Sequence, residues 1–247
     1  GGANVSLTGS PAGGTWAGNG VSGSGGAYSF SPASAGVGAF TLTYTYTQLG
    51  VGYSDDLVMT VNSLPAVTLN AFNSLCVGDA TITLGGGNPT GGSYTVNGQS
   101  ASDFTPTAAG AYTVVYTYTD NNGCTDSATA VLTVNALDAV SITASNDTVS
   151  VGGSVSLAAT DLNNASYTWS DGASANLGTD RILLVSPAVT TTYSVAVVNP
   201  LTGCTSSASK TIVVLSAPSV NAGNDLAVCE GGANVSLTGS PAGGTWA

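Results

Sequence analysis

The sequence has no histidine, two basic residues (Arg181 and Lys210) and a single glutamate, Glu230. Charged residues make up 6% of it, where ordinary globular domains carry about a quarter. Each shortage excludes something. Without histidine there can be no Ser-His or Cys-His nucleophile and no His-ligated metal centre. A net charge of −11 with no basic stripe excludes nucleic acid as a partner and disfavours anionic membrane surfaces. No apolar run reaches the ~18 residues that a spanning helix needs, so no membrane insertion is expected in this segment. Gly1 does not open a signal peptide, and any targeting segment is expected to lie outside this window. The Gly-rich stretch "GGGNPTGG" (85–92) lacks the lysine and the strand-to-helix setting of a phosphate loop. Paired carboxylates are the one catalytic device left, and most aspartates stand in turn-like contexts. The expectation is a chain that is not an enzyme, with no catalytic residue and no resident cofactor.

What is abundant points one way. Hydrophobic residues reach 43%, glycine numbers 34, and Thr, Ser, Ala and Val recur throughout. Runs of five to nine alternating residues, separated by Gly, Ser, Asn and Pro turns, read as antiparallel strands. In "TLTYTYT" (41–47), Leu42, Tyr44 and Tyr46 share one face and the threonines share the other. No capped helical period is found. The fold class is all-β.

The chain also repeats itself. "GGANVSLTGSPAGGTWA" occupies residues 1–17 and returns unchanged as 231–247, a period of 230. A shorter period lies inside it. "AGVGAFTLTYTYT" (35–47), "TAAGAYTVVYTYT" (107–119) and "AVTTTYSVAVVN" (188–199) are versions of one strand, each after a Ser-Pro or Thr-Pro step. "LVMTVNSL" (57–64), "AVLTVNAL" (130–137) and "TIVVLSA" (211–217) are versions of the strand that follows. Cutting at "SLP", "ALD" and "SAP" gives modules at 1–64, 65–137 and 138–217, with 218–247 opening the next copy of the first. Counted through the wrap, the modules have 77, 73 and 80 residues. The expected architecture is a tandem array of immunoglobulin-like antiparallel sandwiches forming an elongated rod.

"GGTWAG", "GGSYTV" and "ASYTWS" place Trp16, Tyr94 and Trp169 at equivalent points, and Phe40, Tyr112 and Tyr193 head the late strand. Aromatics so placed fill the centre of a small sandwich more readily than they form sugar-stacking platforms.

"LAVCEGGANVSLTGSPAGGTWAGNGVSG", with the strand pair "FTLTYTYT" and "LVMTVNSLP", resembles the immunoglobulin-like tandem modules of very long Bacteroidetes surface proteins. Those include gliding-motility adhesins and other cargo of the type IX secretion system. The resemblance covers the first two modules well and the third more loosely, since "NNASYTWS" lacks the "GG-T-W" form. It implies export, an extracellular cell-surface address, and a cell-adhesion or stalk role. "DSA" (126–128) and "DTV" (147–149) match the short O-glycosylation pattern of such exported proteins, with Ser127 and Thr148 as acceptors.

The four cysteines fall into two contexts. Cys76 and Cys229 precede the second strand of their modules ("LCVG", "VCEG"); Cys124 and Cys204 precede the last strand ("GCT"). Disulfides suit an exported chain of this kind. A bridge within the second module, Cys76–Cys124, leaves the other two unpaired. In a sandwich, however, the turn before the second strand faces the loop before the last strand of the following module. Pairing across the joins links Cys76 with Cys204, and Cys124 and Cys229 with neighbouring periods. Both schemes stand on the sequence alone.

The Asx turns "NAGND" (221–225), "TDNNG" (119–123) and "SDGAS" (170–174) supply oxygens of the kind Ca²⁺ takes, although turn chemistry alone also explains them. The seventeen-residue overlap is expected to mark a slice through a continuous array; a strand-swapped polymer of separate subunits is the other reading. The expected function is a non-catalytic segment of a giant extracellular filament or adhesin stalk, whose partners are copies of itself along or beside the filament. The alternative is an array of loops that bind polysaccharide or a surface.

Overall fold

Alternation decides which face of each long strand is buried. In Gly38–Gln48, Leu42 and Tyr44 turn inward and are buried, while Thr41 faces solvent. The structure, a computed structural model, describes residues 2–246. Those residues are almost entirely strand and turn, in successive sets of antiparallel sheets.

The first set contains β1 (Val5–Leu7), β2 (Thr15–Ala17), β3 (Val21–Ser24), β4 (Ala27–Phe30), β5 (Gly38–Gln48) and β6 (Val51–Val61). They form a β1-β4-β3 sheet and a β2-β5-β6 sheet. One helical turn, α1 (Pro32–Ala35), interrupts them where the sequence shows only a Ser-Pro step. Ser31 caps it, accepting the Ser34 N–H at 3.3 Å, and Pro32 supplies the φ that a first helical residue needs.

The second set contains β7 (Thr68–Leu69), β8 (Leu75–Cys76), β9 (Ile82–Thr83), β10 (Gly87–Asn88), β11 (Ser93–Val96), β12 (Gln99–Ser100), β13 (Asp103–Phe104), β14 (Gly110–Thr119) and β15 (Thr125–Asn135). Its main sheet runs β12-β11-β14-β15-β8, and β10-β7 and β13-β9 are short pairs.

The third set contains β16 (Ile142–Ala144), β17 (Thr148–Ser150), β18 (Val155–Ala159), β19 (Ser166–Ser170), β20 (Ile182–Val185), β21 (Thr191–Val198) and β22 (Thr205–Leu215). A β16-β18-β20 sheet and a β17-β22-β21-β19 sheet enclose one core, with Val155 and Leu157 from one and Trp169, Val195 and Ile212 from the other. This is an immunoglobulin-type strand order, in which the first strand divides between the two sheets. By chain contacts, one compact unit comprises Gly1–Asn73, Ala80–Thr105 and Ala111–Thr133. The other comprises Ser74–Asp79, Pro106–Gly110 and Val134–Ala247.

Candidate functional site

Two loops in the second unit carry its covalent link. The first follows β8. Asp79 closes it, its carboxylate accepting the Cys76 N–H at 2.7 Å while its own N–H donates to the Cys76 carbonyl at 3.1 Å. β8 lies parallel to the end of β15, with Leu75 opposite Val134 and Cys76 opposite Asn135. The second loop joins β21 to β22. Asn199 organises it, donating to Asp138 at 2.8 Å and accepting the Leu201 N–H at 2.9 Å. Thr202 then accepts the Cys204 N–H at 3.2 Å. The two loops meet in a Cys76–Cys204 disulfide, with Cα atoms 5.6 Å apart across 128 residues of sequence. Cys204 is buried and Cys76 half-buried. A bond over so long a loop mainly restricts the unfolded chain, and such bonds typically add about 2–4 kcal/mol.

Cys124 and Cys229 are unpaired in this chain, half-buried and exposed respectively. Cys124 lies in a loop built like that of Cys204: the Asp120 carboxylate accepts the Asn122 and Cys124 N–H groups at 2.9 and 2.8 Å. The Cys124 loop lines a groove of about 610 Å³ together with Val5, Phe30, Met59, Val61 and Leu64, all within the first unit.

The three aromatics singled out from the sequence occupy equivalent strands but unequal surroundings. Trp169 is fully buried and donates its indole N–H to the Asp180 carbonyl at 2.8 Å. Trp16 and Tyr94 are half-buried, their rings tilted against those of Tyr44 and Tyr116 at centroid distances of 5.1 and 4.7 Å. The Trp16 indole N–H is buried without a hydrogen-bond partner. The cross-strand register explains the difference, because Trp16 faces Tyr44 and Tyr94 faces Tyr116, whereas Trp169 faces Val195. Tyr193 stands two residues ahead of Val195, whereas Phe40 and Tyr112 stand four ahead of Tyr44 and Tyr116, so the three are not equivalent.

Tyr44 and Tyr116 were not singled out by sequence, yet they hold the loops of the first two sandwiches. The Tyr44 hydroxyl accepts the Gly14 N–H at 2.8 Å and donates to the Pro11 carbonyl at 2.5 Å. Tyr116 does the same with Gly92, at 2.7 Å, and with the Pro89 carbonyl. A Cβ on Gly14 would stand 2.4 Å from the Tyr44 ring, and one on Gly92 would stand 2.5 Å from that of Tyr116. This is the physical content of the "GG" before each aromatic. In the third sandwich Val195 replaces the tyrosine, and Tyr167 stands two residues before Trp169, where Gly14 and Gly92 stand before Trp16 and Tyr94; its hydroxyl caps its own loop, bonding Leu162 N–H and Thr160 carbonyl at 3.1 Å each. The signal available in sequence was the coincidence of "GG" with "YTYT" in two modules and the loss of both in the third.

Ser127 and Thr148 are exposed strand residues, on β15 and β17. The Asx turns use their side-chain oxygens locally: Asp171 accepts the Ala173 and Ser174 N–H groups at 3.0 and 2.7 Å, and Asn221 accepts that of Gly223 at 2.7 Å. Among the described residues no cluster of three or more His, Cys, Asp or Glu side chains is placed to hold a metal, and no helix is long and apolar enough to cross a membrane. Asp103 is held below the usual carboxylate range by hydrogen bonds from Ser102 and Thr83. Tyr193 is pushed up by burial and by the Asp171 carboxylate.

No protein-family model matches the chain, and no curated protein matches it. Solved structures similar to it include a calcium-stabilised adhesin with which an Antarctic bacterium binds ice, at 17% identity over 74% of this chain, 60% of that one, with a TM-score of 0.33. Three immunoglobulin domains of titin are similar at 13% identity over 83% of this chain and 89% of that one, TM-score 0.33. Murine CEACAM1b is similar at 16% identity over 62% of this chain and 100% of that one, TM-score 0.29.

Proposed function

We propose that this chain is a non-catalytic, load-bearing segment of a repetitive extracellular filament or adhesin stalk, of the kind that its resemblance to Bacteroidetes surface modules implies. The observation that carries this reading is the Cys76–Cys204 bond. It joins a turn of the second sequence repeat to a loop of the third, 128 residues away, and so ties successive repeats. A sandwich of this size is only marginally stable alone, since small domains bury a smaller share of their surface. Cross-linking neighbours limits hinge motion at the join and lets load pass through it. The long antiparallel ladders between β5 and β6 and between β21 and β22 resist shear through many hydrogen bonds at once. Strands of this length give roughly 35–45 Å per sandwich, hence a period near ~120 Å for a rod. The unchanged return of residues 1–17 as 231–247 supports continuation of the same period beyond one copy. Scarce charge also leaves little repulsion between rods lying side by side.

The test is the intact length of the mature protein, by denaturing and reducing electrophoresis of material sheared from cells. The expected result is a species many times heavier than 247 residues. A band at the mass of this chain alone would overturn the covalent array and turn the repeated seventeen residues into an assembly device.

A further inference from the structure

Residues 2–64 contain no counterpart of the two short strands that close the other sandwiches; by the period of 230 that counterpart is 218–230. In the second, β8 lies parallel to the end of β15 and β7 pairs with β10; in the third, β17 lies parallel to β22 and β16 pairs with β18. In the first, among the described residues, β6 pairs only with β5, and β1 only with β4. The groove lined by Val5, Phe30, Met59, Val61 and Leu64 takes residues from both of these edges, and Cys124 is among its lining residues. We propose that residues 218–230 of a second copy of this chain occupy this groove, with Cys229 of that copy bonding to Cys124.

Register decides the occupant. Cys229 precedes Leu237 by eight residues, as Cys76 precedes Leu84, and Leu237 repeats Leu7. Pro218 precedes Cys229 by eleven, as Pro65 precedes Cys76. Laid on the pattern of the second sandwich, residues 218–230 set Val228 opposite Val61 and Cys229 opposite Asn62, just as Leu75 and Cys76 lie opposite Val134 and Asn135. Half of the pairing is already formed at the far end of this chain. Asn221 and Ser240 exchange two backbone hydrogen bonds of 2.9 Å, and Ser240 repeats Ser10 on the rim of the first sandwich. The same pair exists in the second sandwich as Thr68 with Asn88. The occupant's apolar side chains Val220, Leu226 and Val228 are exposed where they stand now. Added strands of this kind gain backbone hydrogen bonds for affinity and side-chain pockets for specificity.

The cysteine partner follows from the bonded counterpart. Gly123, Cys124 and Thr125 repeat Gly203, Cys204 and Thr205, and Cys204 is bonded to Cys76, the counterpart of Cys229. Forming the new bond removes one proton and one electron from each thiol. A small-molecule disulfide such as oxidised glutathione takes both pairs and leaves as two thiols. The inference rests on the repeat reading given above, but its failure is separable from failure of that reading.

The probe is a thirteen-residue synthetic peptide, residues 218–230, added to the full chain in a glutathione redox buffer. The expected result is one peptide per chain, disulfide-bonded at Cys124 and lost in Cys124→Ser, with hydrogen exchange at Val61 and Asn62 slowed by about tenfold or more. A Cys229→Ser peptide should give the same protection without the bond. A peptide of scrambled order captured equally well, or no protection with either peptide, would overturn the proposal. So would an intramolecular Cys124–Cys229 bond in monomeric chain without peptide, because the occupant would then be this chain's own segment. A long species on reducing gels together with any of these failures would leave the stalk standing and remove this occupant.

Discussion

The first and third sandwiches start from closely similar strand patterns and reach different degrees of closure. In the third, nine buried residues from both sheets form one cluster, Trp169 is fully enclosed, and its N–H is satisfied. In the first, the corresponding cluster has three buried members, Leu7, Phe30 and Leu42, and Trp16 is half-buried with an unsatisfied N–H. The last strands differ likewise. β22 alternates buried and exposed along its length, while β6 is exposed on both faces from Val51 to Val58. The lesson is that alternation in sequence prepares a strand for burial but does not supply the opposing layer. Where the first short strands are paired, the core closes; residues 2–64, taken without the 218–230 counterpart that the period assigns them, leave the same apolar pattern half wet.

The sharpest way to break this comparison is to delete the two tryptophans. Trp169→Ala should destabilise by about 3–5 kcal/mol, as large-to-small changes in closed cores do. Trp16→Ala should cost about half as much, because less of its area leaves water on folding. Denaturant titration followed by far-ultraviolet circular dichroism measures both. Equal losses would mean that the first core is closed as well. Next in size comes the disulfide. Cys76→Ser should lower stability by about 2–4 kcal/mol in the unit that holds Cys204, with little change in the first sandwich. Titrations with and without reductant check it, and a loss shared equally by both would show that the two sandwiches unfold as one.

Much of this was legible in the chain. The strand runs and the two cysteine contexts follow from alternation and the rarity of cysteine. The bonded pair is one of the two schemes that the sequence left open, and it needed the loop positions to choose. Other features were hidden for identifiable reasons. Tyr44 and Tyr116 read as mere members of "YTYT" strands, since nothing local reveals that their hydroxyls reach back about thirty residues to a Gly-Gly turn. Tyr193 looks equivalent to Phe40 and Tyr112 because each stands third in its strand, but cross-strand register overrides that placement. α1 is a single turn, too short for any period to betray it. The groove beside Cys124 required the unpaired edges of β1 and β6 to be seen together.

The tyrosine-glycine contact gives a third and smaller test. The Gly92 backbone lies outside the left-handed region, so Gly92→Ala is resisted by space alone. Its Cβ would stand 2.3 Å from the Thr117 carbonyl oxygen and 2.5 Å from the Tyr116 ring. Overpacking of that kind typically costs about 1–3 kcal/mol. Ala165, ahead of β19 in the third sandwich, already has room for its methyl, so Ala165→Gly should destabilise by no more than about 1 kcal/mol, through chain entropy and the loss of a partly buried methyl. Thermal melts of the two variants measure the contrast. A mild Gly92→Ala would mean that the Tyr116 ring moves aside easily, and the "GG" would then need another explanation.

The hairpin tips supply the smallest expected effect. The second sandwich closes its last hairpin with a loop held by Asp120, and the third with one held by Asn199. The first uses only Leu49 and Gly50, with φ of 52° and 84°. Two positive φ values suit the right-handed twist of the strands, but leucine is poorly suited to the first, since its Cβ crowds the carbonyl. Nothing offsets that cost by burial, because Leu49 is 99% exposed. Leu49→Asn should therefore stabilise the first sandwich by about 0.5–1 kcal/mol and leave the third unchanged, as a urea titration would register. A loss instead of a gain would show that the leucine side chain is held by a contact of its own. In that case the bare tip would match the cysteine loops in function, and the difference between the sandwiches would lie in the partner each tip meets.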